Sequence, residues 1–228
     1  MKNTSWLDYK PTYASSWAWR KICEVKEMFK VALVEGKWLT DSDGYSISAG
    51  YEWLTQHSWL KVPWAKSVWN RFNIPRHSFI LWLIYQGRLL TLDRLIKMGI
   101  TQQSSCFLCG THDETHSHLF HDCCYTKRCF TQLSLWLNVQ FSGHVTAASV
   151  LKMKKFTGFI RLVISSLVAA VHCHIWYTRN TCRIEGYVKC PGSLISTIKI
   201  ECRLRLLGSD TGTLKREEVD WCKQRELM

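Results

Sequence analysis

The feature that most constrains this chain is a short run of cysteines and histidines near its middle. Cys106, Cys109, His118 and Cys123 follow a C-x2-C-x8-H-x4-C spacing. Two cysteines separated by two residues can direct both sulfurs at one ion across a tight turn, and Gly110 suits such a turn. Thiolates and imidazoles are ligands that Zn²⁺ prefers, and four protein ligands leave no open coordination position. The spacing therefore predicts one structural zinc ion.

The choice of ligands within this segment stays open at the level of sequence. Four neighbours compete with the named histidine and the last cysteine: His112, His116, His121 and Cys124. Leu119 and Phe120 supply an apolar anchor for a short helix that begins at His118. On that helix Cys123 follows His118 by about a turn and a half, where the chain can turn back to the metal. The alternative interpretation is a set of buried thiols beside surface histidines.

Motifs on both sides of the cysteines resemble a known family. A proline-started helix carries Phe79 and Trp82, and Gly-Arg-Leu-Leu-Thr-Leu-Asp-Arg-Leu follows over residues 87–95. Glu114 and Thr115 precede the histidine, and Ile-Trp-Tyr-Thr-Arg-Asn stands at residues 175–180. Together these motifs resemble the zinc-binding domain that follows the reverse transcriptase in plant LINE-type (non-LTR) retrotransposon polyproteins. The resemblance implies a fragment of such a polyprotein.

The helical periodicity of the apolar residues predicts a mainly α fold. It comprises a helical domain with an embedded small structural zinc module, and Asp43-Gly44 is a turn signal that leaves room for one short β-hairpin. We place an N-terminal helical segment at 1–44 and a zinc-binding domain of the reverse-transcriptase type at 45–141. A C-terminal helical segment at 150–207 and a polar tail at 208–228 complete the expected organisation.

Apolar periodicity predicts most of the helices directly. Expected helices cover residues 12–35, 48–57, 125–137, 151–183 and 192–207. Pro75 and Gly87 bound another helix, and Thr91 and Gly99 bound a short one. Segment 159–171 is the most apolar part of the chain, but it is too short to span a membrane. We therefore expect a buried helix there and no membrane partner.

The charge balance indicates an anionic partner. A formal net charge of +12 favours attraction to phosphates, and RNA or single-stranded DNA is the expected partner. Lys127 and Arg128 follow the last cysteine on a predicted helix, and Arg88 and Arg94 precede the cysteines. These four are the candidate nucleic-acid contacts, with an ordinary solvated surface as the alternative. The 12 tryptophans are expected to pack in the core rather than to stack on bases.

The sequence argues against catalysis. A reverse transcriptase needs paired aspartates to hold two Mg²⁺ ions, and the chain contains no Asp-Asp pair. Phosphate-binding and serine-hydrolase motifs are also missing, and the acidic residues are scattered. We therefore expect no enzyme activity and no small-molecule substrate.

Cysteine usage and the N-terminal sequence bear on the compartment. The cysteine count is 11, an odd number, and the first residues lack an apolar stretch. Both favour the nucleus or cytoplasm over secretion. The resulting hypothesis is a non-catalytic, zinc-binding, nucleic-acid-associated protein derived from a retrotransposon. The alternative is a helical protein–protein interaction module in which zinc is purely structural.

Overall fold

The computed structural model describes residues 8–35, 39–40, 44–45 and 62–228. Contacts between residues divide the chain into two units, Met1–Lys61 and Val62–Met228. The predicted helix over 48–57 lies outside the described residues.

The described residues of the first unit form one long helix and a short pair of strands. Helix α1 runs over Trp17–Glu35, within the predicted range. Strands β1 (Leu39–Thr40) and β2 (Gly44–Tyr45) pair antiparallel, with Leu39 opposite Tyr45. The short hairpin that the turn signal allowed is therefore present, although Gly44 belongs to the second strand and not to the turn.

The second unit is helical, and most of its helix ends lie close to the predicted ones. The long helix predicted over 151–183 begins only at Gly158, because Thr157 caps its start and residues 151–157 are not helical. The helices are α2 (Ala65–Val68), α3 (Pro75–Tyr85), α4 (Leu92–Lys97), α5 (Cys124–Leu137), α6 (Ala147–Val150), α7 (Gly158–Glu185), α8 (Pro191–Leu207) and α9 (Arg216–Lys223). A π-helical turn over His118–Asp122 precedes α5. Pro75 occupies the first turn of α3, where its missing N–H costs nothing. Gly87 has a φ of +58°, a left-handed conformation that favours glycine after a helix.

Helix α7 organises the second unit because it is buried around most of its circumference. The run from Val163 to Cys173 is buried at every position, as expected of a helix in the middle of a core. The side chain of Thr157 accepts a hydrogen bond from the Ile160 N–H and caps the helix start. Helices α2, α3, α5, α6 and α8 all contact α7.

The length of α7 exceeds that of the apolar segment 159–171. At 28 residues it is long and apolar enough to cross a membrane by length and composition alone. However, 78% of its most apolar window is buried within the structure, as in a helix that forms part of a core.

The C-terminal segment differs from the polar tail that we predicted at 208–228. Helix α9 forms within it, and Trp221, Cys222 and Leu227 join the hydrophobic core. Arg225 donates a hydrogen bond from Nε to the carbonyl of Leu137 at 2.9 Å. Leu214 and Met228 pack against the core from the same segment, and the polar residue Glu218 is also buried.

Candidate metal centre

A tight turn brings the first two cysteines together. The Cys106 N–H donates to the His112 carbonyl at 2.8 Å, and Ser105 and Asp113 form an antiparallel bridge beside it. The Gly110 N–H donates back to the Cys106 carbonyl at 2.8 Å. Gly110 has a φ of +68°, a left-handed conformation that favours glycine and agrees with the tight turn predicted here.

A π-helical turn positions the histidine and the third cysteine. Thr115 Oγ1 accepts a hydrogen bond from the His118 N–H at 3.0 Å, which fixes the start of the turn. The Cys123 N–H donates to the His118 carbonyl at 2.7 Å and closes it. Leu119 and Phe120 are fully buried and anchor the turn in the core, as predicted. Cys123 therefore stands where the chain turns back, between this turn and α5.

The four predicted ligands form one cluster of donor atoms. The Sγ atoms of the three cysteines and a ring nitrogen of His118 all lie within 4.8 Å of one another. Cys109 Sγ and His118 Nε2 are 3.3 Å apart. In a tetrahedral site with Zn–S bonds of about 2.3 Å, neighbouring sulfurs lie about 3.8 Å apart. The spacing of the side chains thus fits one zinc ion.

The chemical state of the two buried thiols also fits a cation. Cys106 and Cys123 share a hydrogen bond between their sulfurs, which raises the pKa of Cys106 above its usual range and lowers the pKa of Cys123. Burial lowers the pKa of His118, so its imidazole stays neutral and keeps a lone pair for a metal. A zinc ion would replace the proton that the two sulfurs share.

Backbone amides support the same two sulfurs. The N–H groups of Leu108 and Cys109 donate to the sulfur of Cys106 and oppose part of the rise in its pKa that the Cys123 hydrogen bond and burial cause. The N–H groups of Tyr125 and Thr126, in the first turn of α5, do the same for Cys123. These donors partly offset the negative charge of three thiolates around one Zn²⁺, which sums to about −1.

None of the four competing residues belongs to this cluster. The ring of His112 stacks on the ring of His118 at 5.5 Å, outside the donor group. His116 packs on Phe120, and His121 stacks on His144 with ring centroids 4.6 Å apart. Cys124 is exposed at the start of α5. The structure therefore favours His118 and Cys123 among the alternatives that the sequence left open.

A buried ion pair beside the metal centre escaped the sequence analysis. Arg179 Nη2 donates to Glu114 Oε1 at 2.6 Å, and both side chains are at most 1% exposed. Glu114 Oε1 also accepts the Leu92 N–H at 3.0 Å, at the start of α4. The guanidinium of Arg179 lies over the rings of Phe107 and Trp176. Glu114 therefore links the zinc segment, α4 and α7.

The sequence did contain a signal for this pair. Glu114 and Arg179 each stand in a motif shared with the resembled family, Glu114 before His118 and Arg179 within α7. Without the fold, we counted Glu114 among scattered acidic residues, because 65 residues separate the two partners.

The four candidate nucleic-acid contacts lie in different local settings. Lys127 and Arg128 are exposed on α5, and neither forms an ion pair within the described residues. Arg88 is exposed and its guanidinium lies 5.8 Å from the centre of the Trp82 ring. Arg94 is half-buried and donates to the Gly87 carbonyl. Within this set, the lysine and arginine on α5 are the freest to meet a phosphate.

A cavity of about 510 Å³ opens beside the metal centre, and Lys127 lines it. Its walls include the rings of Phe130, Phe141, His121 and His144. Most described tryptophans of the second unit pack into or against the core, as expected: Trp64, Trp82, Trp136, Trp176 and Trp221. Trp69 differs, because 66% of its surface is exposed.

Comparison with known protein families bears directly on this centre. Residues 45–130 match the family described as zinc-binding in reverse transcriptase. The matched segment contains all four clustered ligands, and it confirms the predicted resemblance to a reverse-transcriptase zinc-binding domain. The family indicates a zinc-binding, retrotransposon-derived segment, and the match covers less than half of the chain. The other domain boundaries remain predictions.

One curated relative is similar over part of its length. An uncharacterised mitochondrial protein of Arabidopsis thaliana is 33% identical over 69 residues, which cover 29% of this chain. The aligned region spans 48% of that relative, so the chain covers about half of its length. No solved structure matches the chain.

Proposed function

We propose that the chain is a non-catalytic, nucleic-acid-associated protein derived from a retrotransposon reverse-transcriptase polyprotein. The observation that carries the proposal is the four-ligand cluster inside the segment that matches the reverse-transcriptase zinc-binding family. A closed set of four protein ligands leaves no metal position for substrate, so zinc shapes the module and other residues make contacts. The net charge of +12 supplies attraction to phosphates.

Lys127 and Arg128 are the proposed primary contacts, because both are exposed and follow the Cys123 ligand on α5. Lys127 also lines the cavity whose walls carry aromatic rings. Arg88 and Arg94 are proposed as secondary contacts. Arg94 is weaker as a candidate because the Gly87 carbonyl already holds its guanidinium.

A salt titration with single-stranded RNA tests the proposal. For zinc-loaded protein, the logarithm of the binding constant should fall with the logarithm of salt concentration by about 0.7 for each phosphate neutralised. Replacing Lys127 and Arg128 with Ala should make that slope shallower by about one to two units. The matched control replaces Lys152 and Lys154, two other exposed lysines, and removes the same net charge.

An equal change in both double variants would mean that only net charge matters. An unchanged slope in the folded, zinc-loaded Lys127/Arg128 variant would remove these residues from the contact surface. Running the same titration with single-stranded DNA determines which nucleic acid binds more tightly.

The non-catalytic part of the proposal has its own test. Purified protein supplied with Mg²⁺ or Mn²⁺ should neither extend a primed template nor degrade nucleic acid. An activity that survives purification and disappears when one carboxylate of this chain is replaced would contradict it.

We further propose a nuclear or cytoplasmic location, supported by the absence of disulfide bonds among all eleven cysteines. Finding the tagged chain in a secretory compartment would contradict that location.

One feature favours the alternative of a protein–protein interaction module. Ile200, Leu204 and Leu207 are each more than half exposed, at a spacing that aligns them along one face of α8. If the chain binds no nucleic acid at low salt, this apolar face becomes the leading candidate for a contact surface.

A further inference from the structure

Two histidines and a glutamate from three different helices meet at a second place in the structure. His77 lies in the first turn of α3, His174 in the C-terminal half of α7 and Glu201 on α8. One ligand atom from each lies within 4.8 Å of the others. His174 Nε2 is 2.9 Å from Glu201 Oε2, and His77 Nε2 is 3.4 Å from the same oxygen.

One nitrogen in this group lacks a partner. His77 is only 1% exposed, and its Nε2 is buried without a hydrogen bond. The 3.4 Å approach to Glu201 satisfies the distance for an ion pair but not the geometry of a hydrogen bond. A buried polar atom without a partner costs about 1–3 kcal/mol, so native structures usually provide one. A bound cation would be such a partner.

The surroundings of Glu201 favour a cation at the remaining oxygen. Arg76 pairs with Oε1 of Glu201, which leaves Oε2 facing the two imidazoles. A fixed carboxylate held by an outer partner is the usual arrangement around protein metal sites. The side chains of His174 and Glu201 are 15% and 21% exposed, so water can reach a fourth coordination position.

We propose that His77, His174 and Glu201 form a second metal site, for a divalent transition-metal ion of the Zn²⁺ class. Two imidazole nitrogens and one carboxylate oxygen are a ligand set that such ions accept, with water completing the coordination. The site contains no thiolate and shares no residue with the cysteine centre. The ion would join α3, α7 and α8, which contribute one ligand each. The competing explanation is a hydrogen-bonded His–Glu pair that binds no metal.

Cobalt(II) distinguishes the two sites because only the cysteine centre can give thiolate-to-cobalt charge-transfer bands. Metal-free wild-type protein titrated with Co²⁺ should take up about two equivalents, one with those bands and one without. His174→Gln should retain the equivalent with thiolate bands and lose the other, because glutamine can still donate to Glu201 but is a poor ligand. His144→Gln, which replaces an exposed histidine outside both clusters, should keep both equivalents.

Wild-type protein that binds only the equivalent with thiolate bands would overturn the proposal without reference to any variant. A second equivalent that shows thiolate bands would overturn it too, since it would belong to other cysteines. So would a second equivalent that persists in folded His174→Gln. Absence of thiolate bands in wild-type protein would contradict the cysteine centre alone, and a band-free equivalent that His174→Gln loses would still support the second site.

Discussion

The zinc segment and helix α7 hold their shapes in different ways. Within α7, many consecutive side chains are buried and each makes core contacts, so the loss of one leaves most of the contacts in place. Between Ser104 and Cys123, a few polar groups fix the chain: four metal ligands, short backbone hydrogen bonds and Glu114. A segment organised by so few groups should be more sensitive to the loss of any one of them. The Glu114–Arg179 pair joins the two regions.

The largest expected effect is the loss of one zinc ligand. Cys123→Ala should release the metal and remove the hydrogen-exchange protection of amides between residues 104 and 123, while α7 stays protected. Structural zinc supplies about 10–16 kcal/mol of apparent binding free energy in zinc-finger peptides, and without it such modules unfold. The matched control is Cys124→Ala, an exposed neighbour that should keep its zinc.

Zinc analysis and hydrogen exchange measured on both variants decide the outcome. Zinc retained by the Cys123 variant but lost from the Cys124 variant would show that Cys124, and not Cys123, is the ligand. Simultaneous loss of protection in α7 would show that the two regions unfold as one.

The next largest effect should come from the pair that joins the regions. Arg179→Met leaves the buried Glu114 carboxylate without its partner, which typically costs about 3–5 kcal/mol of unfolding free energy. Adding Glu114→Gln should recover part of that loss, because no buried charge remains. The exposed Arg216–Asp220 pair is the control, and Arg216→Ala should change stability little.

Denaturant unfolding of the single and double variants measures these differences. If Arg179→Met costs no more than Arg216→Ala, the buried pair does not connect the two regions energetically.

A core substitution in α7 should weaken the fold and leave the metal in place. Leu167 is fully buried, and Leu167→Ala should cost about 2–5 kcal/mol through lost burial and a cavity. Leu204→Ala, at a position that is 65% exposed, should cost far less. Zinc content should remain at the wild-type value in both. A loss of zinc from folded Leu167→Ala would contradict this prediction, because it would show that zinc binding depends on the packing of α7.

The smallest of these effects concerns a histidine that lies where the two regions meet. His172 on α7 is buried against Phe120 and Phe130, and its Nδ1–H donates to the Val168 carbonyl at 2.9 Å. Burial lowers the pKa of His172 to about 4. An unfolded histidine titrates near 6.5, so the unfolded chain binds more protons between those values.

The contribution of neutral His172 to the unfolding free energy should therefore be complete above about pH 6.5. It should be lost as the pH falls towards 4, a change on the order of 3 kcal/mol. Comparing the unfolding free energies of wild type and His172→Leu across this range isolates the effect, because acid affects zinc in both. His144→Gln should follow wild type. A pH-independent difference between wild type and His172→Leu would contradict a buried neutral imidazole.

Features that depend on residues close together in the chain could be predicted from the sequence, whereas contacts between residues far apart in the chain could not. The C-x2-C turn and the helix ends at Pro75 and Gly87 depend on residues close in the chain, so spacing alone predicted them. Arg179 meets Glu114 across 65 residues, and only the packing of α7 brings them together. The same holds for His77 and His174, whose approach depends on how two helices cross.

The C-terminal segment shows a different limit. Its composition is polar, and we predicted a tail, yet three apolar positions place it against the core. A short amphipathic helix carries too little periodic signal to outweigh its composition, and its burial depends on a surface that other helices supply.

X-ray absorption at the zinc edge tests the identity of the four zinc ligands most directly. Using His174→Gln loaded with one equivalent of zinc keeps the proposed second site out of the measurement. We expect three sulfur ligands at about 2.3 Å and one nitrogen ligand at about 2.0–2.1 Å. A first shell made mainly of nitrogen and oxygen, or one with fewer than three sulfurs, would contradict the assignment of zinc to Cys106, Cys109, His118 and Cys123.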